Sequence, residues 1–383
     1  MSEQDEKYMQ MALRQARRGV GKVEPNPMVG CIIVKANQII GQGWHKKFGQ
    51  AHAEINAIED CKTLGVNPQG ATMYVTLEPC CHQGKTGPCT QAIIDTGLAK
   101  VVVATIDPSQ HNNGKGIEQL RRAGIEVQTG VCETEAKLLN APFIKFATTG
   151  KCWVVLKWAQ SIDGKVGYAD RADERKWISN ELSRTNAQNL RRRVGAVLVG
   201  INTVIADDPL LTVRPSKGKK LLRIVLDNSL RIPLNCKLLG TAKQSSVLIF
   251  AHQRAVQVNP GAAEEIVKKG AEVLTYPDTQ GKSNLYFLLD ELSKRGIAQL
   301  LVEGGPTVTA SFLKEHLADE IRIYISPRIL GSQGGADITK SMNELTETIG
   351  LHYVDTKRFG DDTCITGLTE KALRELSIVV HPS

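Results

Sequence analysis

The sequence predicts two consecutive layered α/β domains. Three observations lead there. The 383 residues exceed what one ordinary hydrophobic core serves. Apolar strand-like runs alternate with helix-forming segments on both sides of residue 150. Gly150 breaks a helical stretch between the two series, so residues 1–149 form the first domain and 150–383 the second.

The first series opens with a helical segment, Asp5 to Arg18, carrying Tyr8, Met11, Ala12 and Ala16 toward one side and stopped by Gly19. Pro25-Asn26-Pro27 leads into an apolar strand, Met28 to Lys35, which Ala36-Asn37 turns into a second, Gln38 to Gly43. The flanking prolines hold Asn26 in an extended course from which its amide can meet a ring edge; a simple turn residue is the alternative. His45 sits in the next loop, where it can contact substrate, bind metal or stay solvated. Ala53 to Leu64 is helical with Ile55, Ala57 and Ile58 inward, which places His52 and Glu54 at its start. A strand, Thr72 to Leu77, delivers Cys80. A helix from Thr90 puts Cys89 at a helix N-terminus, where the dipole favours thiolate. A strand at Val101 to Ile106, a helix and strand through Val127, and one helix from Glu133 to Thr149 complete the domain.

In the second series, strands are expected at Trp153 to Lys157, Ala196 to Gly200, Leu222 to Asp227, Ser246 to Ala251, Ala271 to Tyr276 and Gln299 to Glu303. Several are largely apolar, as in a sheet covered on both faces. Glu303-Gly304-Gly305-Pro306-Thr307 ends the last strand and opens a helix, Val308 to His316. Such a turn lets backbone N–H groups approach a pyrophosphate. No G-x-G-x-x-G is present, so a Rossmann dinucleotide fold is disfavoured.

The chemistry concentrates between His52 and Cys89. His52-Ala53-Glu54, followed by Cys80, Cys81 and Cys89, reads as a catalytic zinc site: three protein ligands leave a fourth position for water. His52, Cys80 and Cys89 are the candidate ligands, with Glu54 as the carboxylate that takes and returns a proton. The general deaminase pattern, H-x-E with P-C-x-x-C, is met except that eight residues separate Cys80 from Cys89. That spacing leaves Cys81 as a rival ligand. A closed structural zinc site is the other alternative, but it has no use for a carboxylate two residues after the histidine. The loop between the cysteines carries Lys85 and Thr86, groups suited to a phosphate or a polar ring.

Nine cysteines and a polar, acidic Met1 to Lys7 suggest a cytoplasmic chain with reduced thiols. No apolar run is long enough to span a bilayer. The net charge of +8 is compatible with nucleic acid, but equally with small phosphorylated substrates. The basic clusters at Arg191-Arg192-Arg193 and Lys217 to Lys220 lack the interleaved aromatics of a stacking platform. Neither nucleic acid nor membrane is therefore expected as a partner, and a homo-oligomer is.

Taken together, Pro25-Asn26-Pro27-Met28-Val29-Gly30, Gly43-Trp44-His45, His52-Ala53-Glu54 and the Cys80 to Cys89 loop resemble the deaminase half of the bifunctional riboflavin-biosynthesis deaminase/reductases of bacteria. The long cysteine spacing is that family's own. Lys157-Trp158-Ala159-Gln160-Ser161-Ile162-Asp163-Gly164-Lys165, Trp177-Ile178-Ser179, Thr203 to Arg214 and Glu303 to Thr307 resemble its reductase half, in the family's order. The resemblance implies a cytidine-deaminase-like three-layer domain followed by a dihydrofolate-reductase-like α/β domain, with Zn2+ and NADPH as cofactors. It implies zinc on His52, Cys80 and Cys89, Glu54 as catalytic acid/base, and deaminase substrate contacts at Asn26, His45, Lys85 and Thr86. In the reductase it implies NADPH contacts at Gln160, Trp177, Thr203, Asp207, Asn228, Gly305, Pro306 and Thr307. The ribosyl phosphate substrate falls to Arg191, Leu211, Arg214 and Glu303. Arg191 and Arg214 also suit phosphate through bidentate pairing, against the alternative of solvated or ion-paired arginines. Asp173-Glu174-Arg175 departs from the family's Gly-Glu-Ser, so no role is assigned to Arg175. A nucleic-acid base deaminase would share the zinc core but leaves the second domain unexplained; a non-enzymatic zinc module leaves Glu54 unexplained.

Overall fold

In the computed structural model the chain separates into two compact units, Met1–Gly150 and Lys151–Ser383. The structure describes residues 2–83, 87–170, 177–213, 221–277, 284–343 and 345–379.

The first unit is a three-layer sandwich. Its elements are α1 (Glu3–Ala16), β1 (Gly30–Lys35), β2 (Gln38–Trp44), α2 (Ala53–Thr63), β3 (Thr72–Val75), α3 (Cys89–Thr96), β4 (Lys100–Val103), α4 (Lys115–Arg122), β5 (Glu126–Thr129), α5 (Glu133–Leu139) and α6 (Ala141–Thr149). The sheet order is β2-β1-β3-β4-β5, with β1 antiparallel to both neighbours and β3, β4 and β5 parallel. The β1–β2 hairpin turns at Ala36 and Asn37, both left-handed (φ 47° and 62°), as a tight turn matching the strand twist requires. Because strand side chains alternate, Cys31, Ile33, Met73, Val75, Val101 and Val103 pack on α2, α3 and α4 through Ala57, Ile58, Ile93 and Leu120. Ile32, Val34, Tyr74 and Val102 face the other way, onto Met9, Ala12 and Leu13 of α1 and Ala136 of α5.

Two close approaches set the geometry of this unit. A Cβ on Gly43 would lie 2.3 Å from the Ala53 carbonyl oxygen and 2.4 Å from the Ala57 nitrogen, so glycine lets the start of α2 lie directly on β2. The expected single helix from Glu133 to Thr149 is in fact two. Asn140 breaks it: its Oδ1 accepts the Met28 N–H (2.8 Å) and its Nδ2 donates to the Met28 carbonyl (2.9 Å). Pro142 is then the second residue of α6, in the first turn, where a missing N–H costs nothing.

The second unit contains β6 (Trp153–Ser161), α7 (Glu181–Arg191), β7 (Ala196–Gly200), α8 (Ile201–Asp207), β8 (Leu222–Leu226), α9 (Lys237–Gly240), β9 (Val247–His252), α10 (Gln253–Val258), α11 (Pro260–Lys268), β10 (Glu272–Tyr276), α12 (Asn284–Lys294), β11 (Gln299–Val302), α13 (Pro306–Lys314), β12 (Glu320–Ser326), α14 (Ile338–Ser341), β13 (Leu351–Phe359), β14 (Asp362–Thr369) and α15 (Glu370–Glu375). Among the described residues the sheet has nine strands in the order β10-β9-β8-β7-β11-β6-β12-β14-β13. It is parallel from β10 to β12, and β14 and β13 close it as an antiparallel hairpin. Strands β12, β13 and β14 were not expected from the sequence. β12 carries Glu320 and Arg322, which neutralise each other in a shielded ion pair (2.5 Å), and β13 is a mostly exposed, polar edge. Neither reads as an apolar run.

Candidate functional site

In the first unit three ligand-type side chains converge. His52 is the N-cap of α2, with extended backbone, Cys89 opens α3, and Cys80 lies in the loop after β3. The Nδ1 of His52 faces both sulfurs, 3.5 Å from Cys80 Sγ and 3.3 Å from Cys89 Sγ. The three ligand atoms lie within 4.8 Å of one another, the only such group of three among the described residues. The Cys89 N–H donates to Cys80 Sγ (3.4 Å), and the Cys89 hydrogen bond holds the Cys80 thiol well below its ordinary range. Two soft sulfurs and one imidazole suit zinc.

Glu54 stands beside this cluster, buried at 3% exposed. Its Oε2 is buried with no hydrogen-bond partner. Such an orphan oxygen fits a site built to receive a proton from something bound at the cluster. Burial pushes the Glu54 carboxyl above the usual range. Cys81 points elsewhere: its Sγ faces the His111 carbonyl (3.8 Å), outside the cluster. His45 is buried with its ring 5.3 Å from that of His52, its Nε2 2.9 Å from the Lys47 carbonyl oxygen, and burial lowers its pKa, which favours the neutral ring. Asn26 is half-buried, and its N–H donates to the Val23 carbonyl. Lys85 and Thr86 lie outside the described residues.

The second unit holds a cleft of about 1490 Å³. Trp177, Thr203, Asp207 and Asn228 line it, together with Gly305, Pro306 and Thr307 at the start of α13. Gly305 is the N-cap of that helix, and a Cβ there would stand 3.8 Å from Thr203 Oγ1, in the space between two expected contacts. Bare backbone at a helix N-terminus fits the pyrophosphate of a dinucleotide. Gln160 is not among the lining residues: its Oε1 accepts the Trp158 indole N–H (2.7 Å), which turns it onto its own strand.

Arg191, Leu211 and Glu303 also line the cleft. Arg191 grips Glu303 with two prongs, Nε to Oε1 (3.0 Å) and Nη2 to Oε2 (2.6 Å). Its Nη1 donates to the Thr212 carbonyl (3.2 Å). Its fork is thus committed to a carboxylate rather than left open for phosphate. Leu211 is left-handed (φ 52°), and Arg223 Nη1 holds the carbonyl before it, that of Leu210 (3.0 Å). Arg214 lies outside the described residues. Lys157, which carries no expected role, lines the same cleft, its ammonium 5.4 Å from the centre of the Tyr324 ring. Burial lowers its pKa, and Glu303 opposes that shift.

This geometry fits one class: a zinc-dependent deaminase unit followed by a unit with a cleft suited to a dinucleotide. Residues 2–105 match the cytidine and deoxycytidylate deaminase zinc-binding region, and residues 152–365 match the RibD C-terminal domain. The chain is 42% identical over 363 residues to the riboflavin biosynthesis protein RibD of Aquifex aeolicus, covering 94% of this chain and 97% of that one. It is 36% identical over 372 residues to RibD of Escherichia coli, covering 94% and 98%. Among solved structures, Acinetobacter baumannii RibD superposes with a TM-score of 0.79 at 36% identity, over 96% of this chain and 99% of that one. The Thermotoga maritima diaminohydroxyphosphoribosylaminopyrimidine deaminase/5-amino-6-(5-phosphoribosylamino)uracil reductase does so with a TM-score of 0.79 at 33% identity, over 96% and 99%. The chain belongs to the RibD family. It is a bifunctional enzyme of riboflavin biosynthesis, a zinc-dependent deaminase and an NADPH-dependent reductase.

Proposed function

We propose that the unit before Gly150 carries the deamination and the unit after it the reduction. The first acts on 2,5-diamino-6-ribosylamino-4(3H)-pyrimidinone 5′-phosphate and the second reduces its ribosyl group to ribityl. The observation that carries this reading is the convergence of His52 Nδ1 on two sulfurs beside the orphan Oε2 of Glu54.

His52, Cys80 and Cys89 would hold zinc, which when bound would supply Lewis-acid activation of water at neutral pH. Glu54 takes the proton from that water and delivers it to the departing amine at C2, so water enters and ammonia leaves. Its raised pKa brings it toward neutrality, where both transfers are efficient. His45, its neutral ring favoured by burial, and Asn26, Lys85 and Thr86 hold the substrate. In the reductase, Trp177, Thr203, Asp207, Asn228 and the start of α13 hold NADPH, which supplies hydride, while Gln160 supports Trp158. Arg191, Glu303, Leu211 and Arg214 orient the ribosyl phosphate, with Arg214 gripping the phosphate and Arg191 fixing the Glu303 carboxylate. The enzyme works in the cytoplasm as a homo-oligomer; among the described residues no helix is long and apolar enough to cross a membrane.

Glu54→Gln tests the reading. The variant retains the ligands and nearly the same volume but loses the proton acceptor, so ammonia release should fall by roughly 10²–10⁴-fold. Supplied with the deaminated pyrimidine, the same variant should oxidise NADPH at the wild-type rate. Ammonia release at the wild-type rate from the zinc-loaded variant would remove Glu54 from the chemistry.

A further inference from the structure

The loop that carries Cys80 is held from behind by two buried polar side chains that proton transfer and metal ligation leave unexplained. Glu78 is 3% exposed, and its carboxylate accepts four backbone N–H groups from the segment 107–117. Oε1 takes those of Gly116 (2.9 Å) and Ile117 (3.3 Å); Oε2 takes those of Asp107 (3.1 Å) and Gly114 (2.9 Å). Asn112, fully buried in that segment, reaches back in the opposite direction. Its Nδ2 donates to the carbonyls of Glu78 (3.4 Å) and Pro79 (3.3 Å), and its Oδ1 accepts the Cys81 N–H (3.1 Å). The two segments touch so closely that a Cβ on Gly116 would lie 2.2 Å from the Pro79 carbonyl oxygen.

The consequence falls on Cys80. The carbonyl before it and the N–H after it are both fixed by Asn112, and its own carbonyl accepts the Thr90 N–H (3.1 Å). With its backbone pinned on both sides, the cysteine has little left to order when its sulfur meets the ion. A ligand held in advance binds more tightly than one that must be ordered on binding.

We propose that Glu78 and Asn112 are positioning residues of the zinc centre, a reciprocal lock that sets the backbone of Cys80 and thereby strengthens zinc binding. The proposal rests on Cys80 being a zinc ligand. A purely structural cap on the start of α4 would stabilise the fold without changing the affinity of the folded protein for zinc.

The experiment measures zinc affinity by competition with a chromophoric chelator. It uses full-length wild type, Glu78→Gln, Asn112→Ser and Cys80→Ser, with circular dichroism confirming the fold of each sample. In Glu78→Gln an amide NH2 replaces one oxygen, so whichever way it turns, two N–H donors face a donor. The lock predicts zinc binding weaker by roughly 10–100-fold in Glu78→Gln and in Asn112→Ser, with unchanged reductase turnover on deaminated substrate. Zinc affinity within twofold of wild type in either folded variant, while Cys80→Ser loses the metal, overturns the lock but leaves the ligand assignment intact. Retention of wild-type affinity by Cys80→Ser overturns both. Should Glu78→Gln fail to fold, Asn112→Ser, which leaves the carboxylate and its four donors in place, decides by the same criterion.

Discussion

Arg191 and Glu303 form a two-pronged ion pair whose side chains are each 11% exposed. Removing the guanidinium leaves a carboxylate shielded from water without its partner, so Arg191→Ala should destabilise the protein by about 3–5 kcal/mol and abolish reduction. Burial tends to raise the Glu303 pKa, but Arg191 and then Lys157 outweigh it and hold the carboxyl below its ordinary value. A depressed carboxyl stabilises the fold above its unfolded pKa, and that contribution disappears as pH falls through the folded value. The acid limb of the wild-type melting-temperature profile should therefore lie at lower pH than that of Arg191→Ala; coincident limbs would mean that the pair is not what depresses Glu303. At the metal centre, Cys80→Ser and Cys89→Ser should lose zinc while Cys81→Ser retains it, read by metal analysis of the purified proteins. From sequence, Cys80 and Cys81 are neighbours of one chemical type. Only the turn of the backbone, which sends Cys81 toward the His111 carbonyl, separates them. Glu54 was legible through its spacing from His52, whereas Glu78 was not, because its partners are backbone groups with no side-chain signature.

Helix α2 carries His52 at its mouth, and its seat on β2 depends on the missing side chain at Gly43. Gly43→Ala should push the helix start off the strand, costing about 1–3 kcal/mol as overpacking does, and lower the zinc content with it. An undiminished zinc content together with an unshifted melting temperature would show that the helix can move without disturbing His52. Elements whose burial is apolar and periodic were readable: α2, the β1–β2 hairpin and the parallel strands of both sheets other than β12 fall where the pattern puts them, to within a few residues. Elements that are polar by necessity were not. Asn140 splits α5 from α6 through bonds to Met28, more than a hundred residues away in sequence. The charges of β12 cancel through an ion pair between Glu320 and Arg322, which the extended strand brings onto one face.

Across the whole molecule, the two units to which we assign deamination and reduction do not interleave along the chain. If the deaminated intermediate is released into solution, mixing Glu54→Gln with Arg191→Ala should restore full conversion of the diaminopyrimidinone phosphate with NADPH oxidation, although neither variant completes it alone. Absence of recovery from two folded, singly active proteins would mean that the intermediate does not travel freely between molecules. The sequential layout also bears on how the protein is made. The three proposed zinc ligands, His52, Cys80 and Cys89, all precede Gly150, where the first unit is finished. At a synthesis rate of about 5–20 residues per second, the following 233 residues (383 − 150) take roughly 10–50 s to emerge. The first unit has its own core and all three proposed ligand residues, so metal uptake there need not wait for the second unit to be translated.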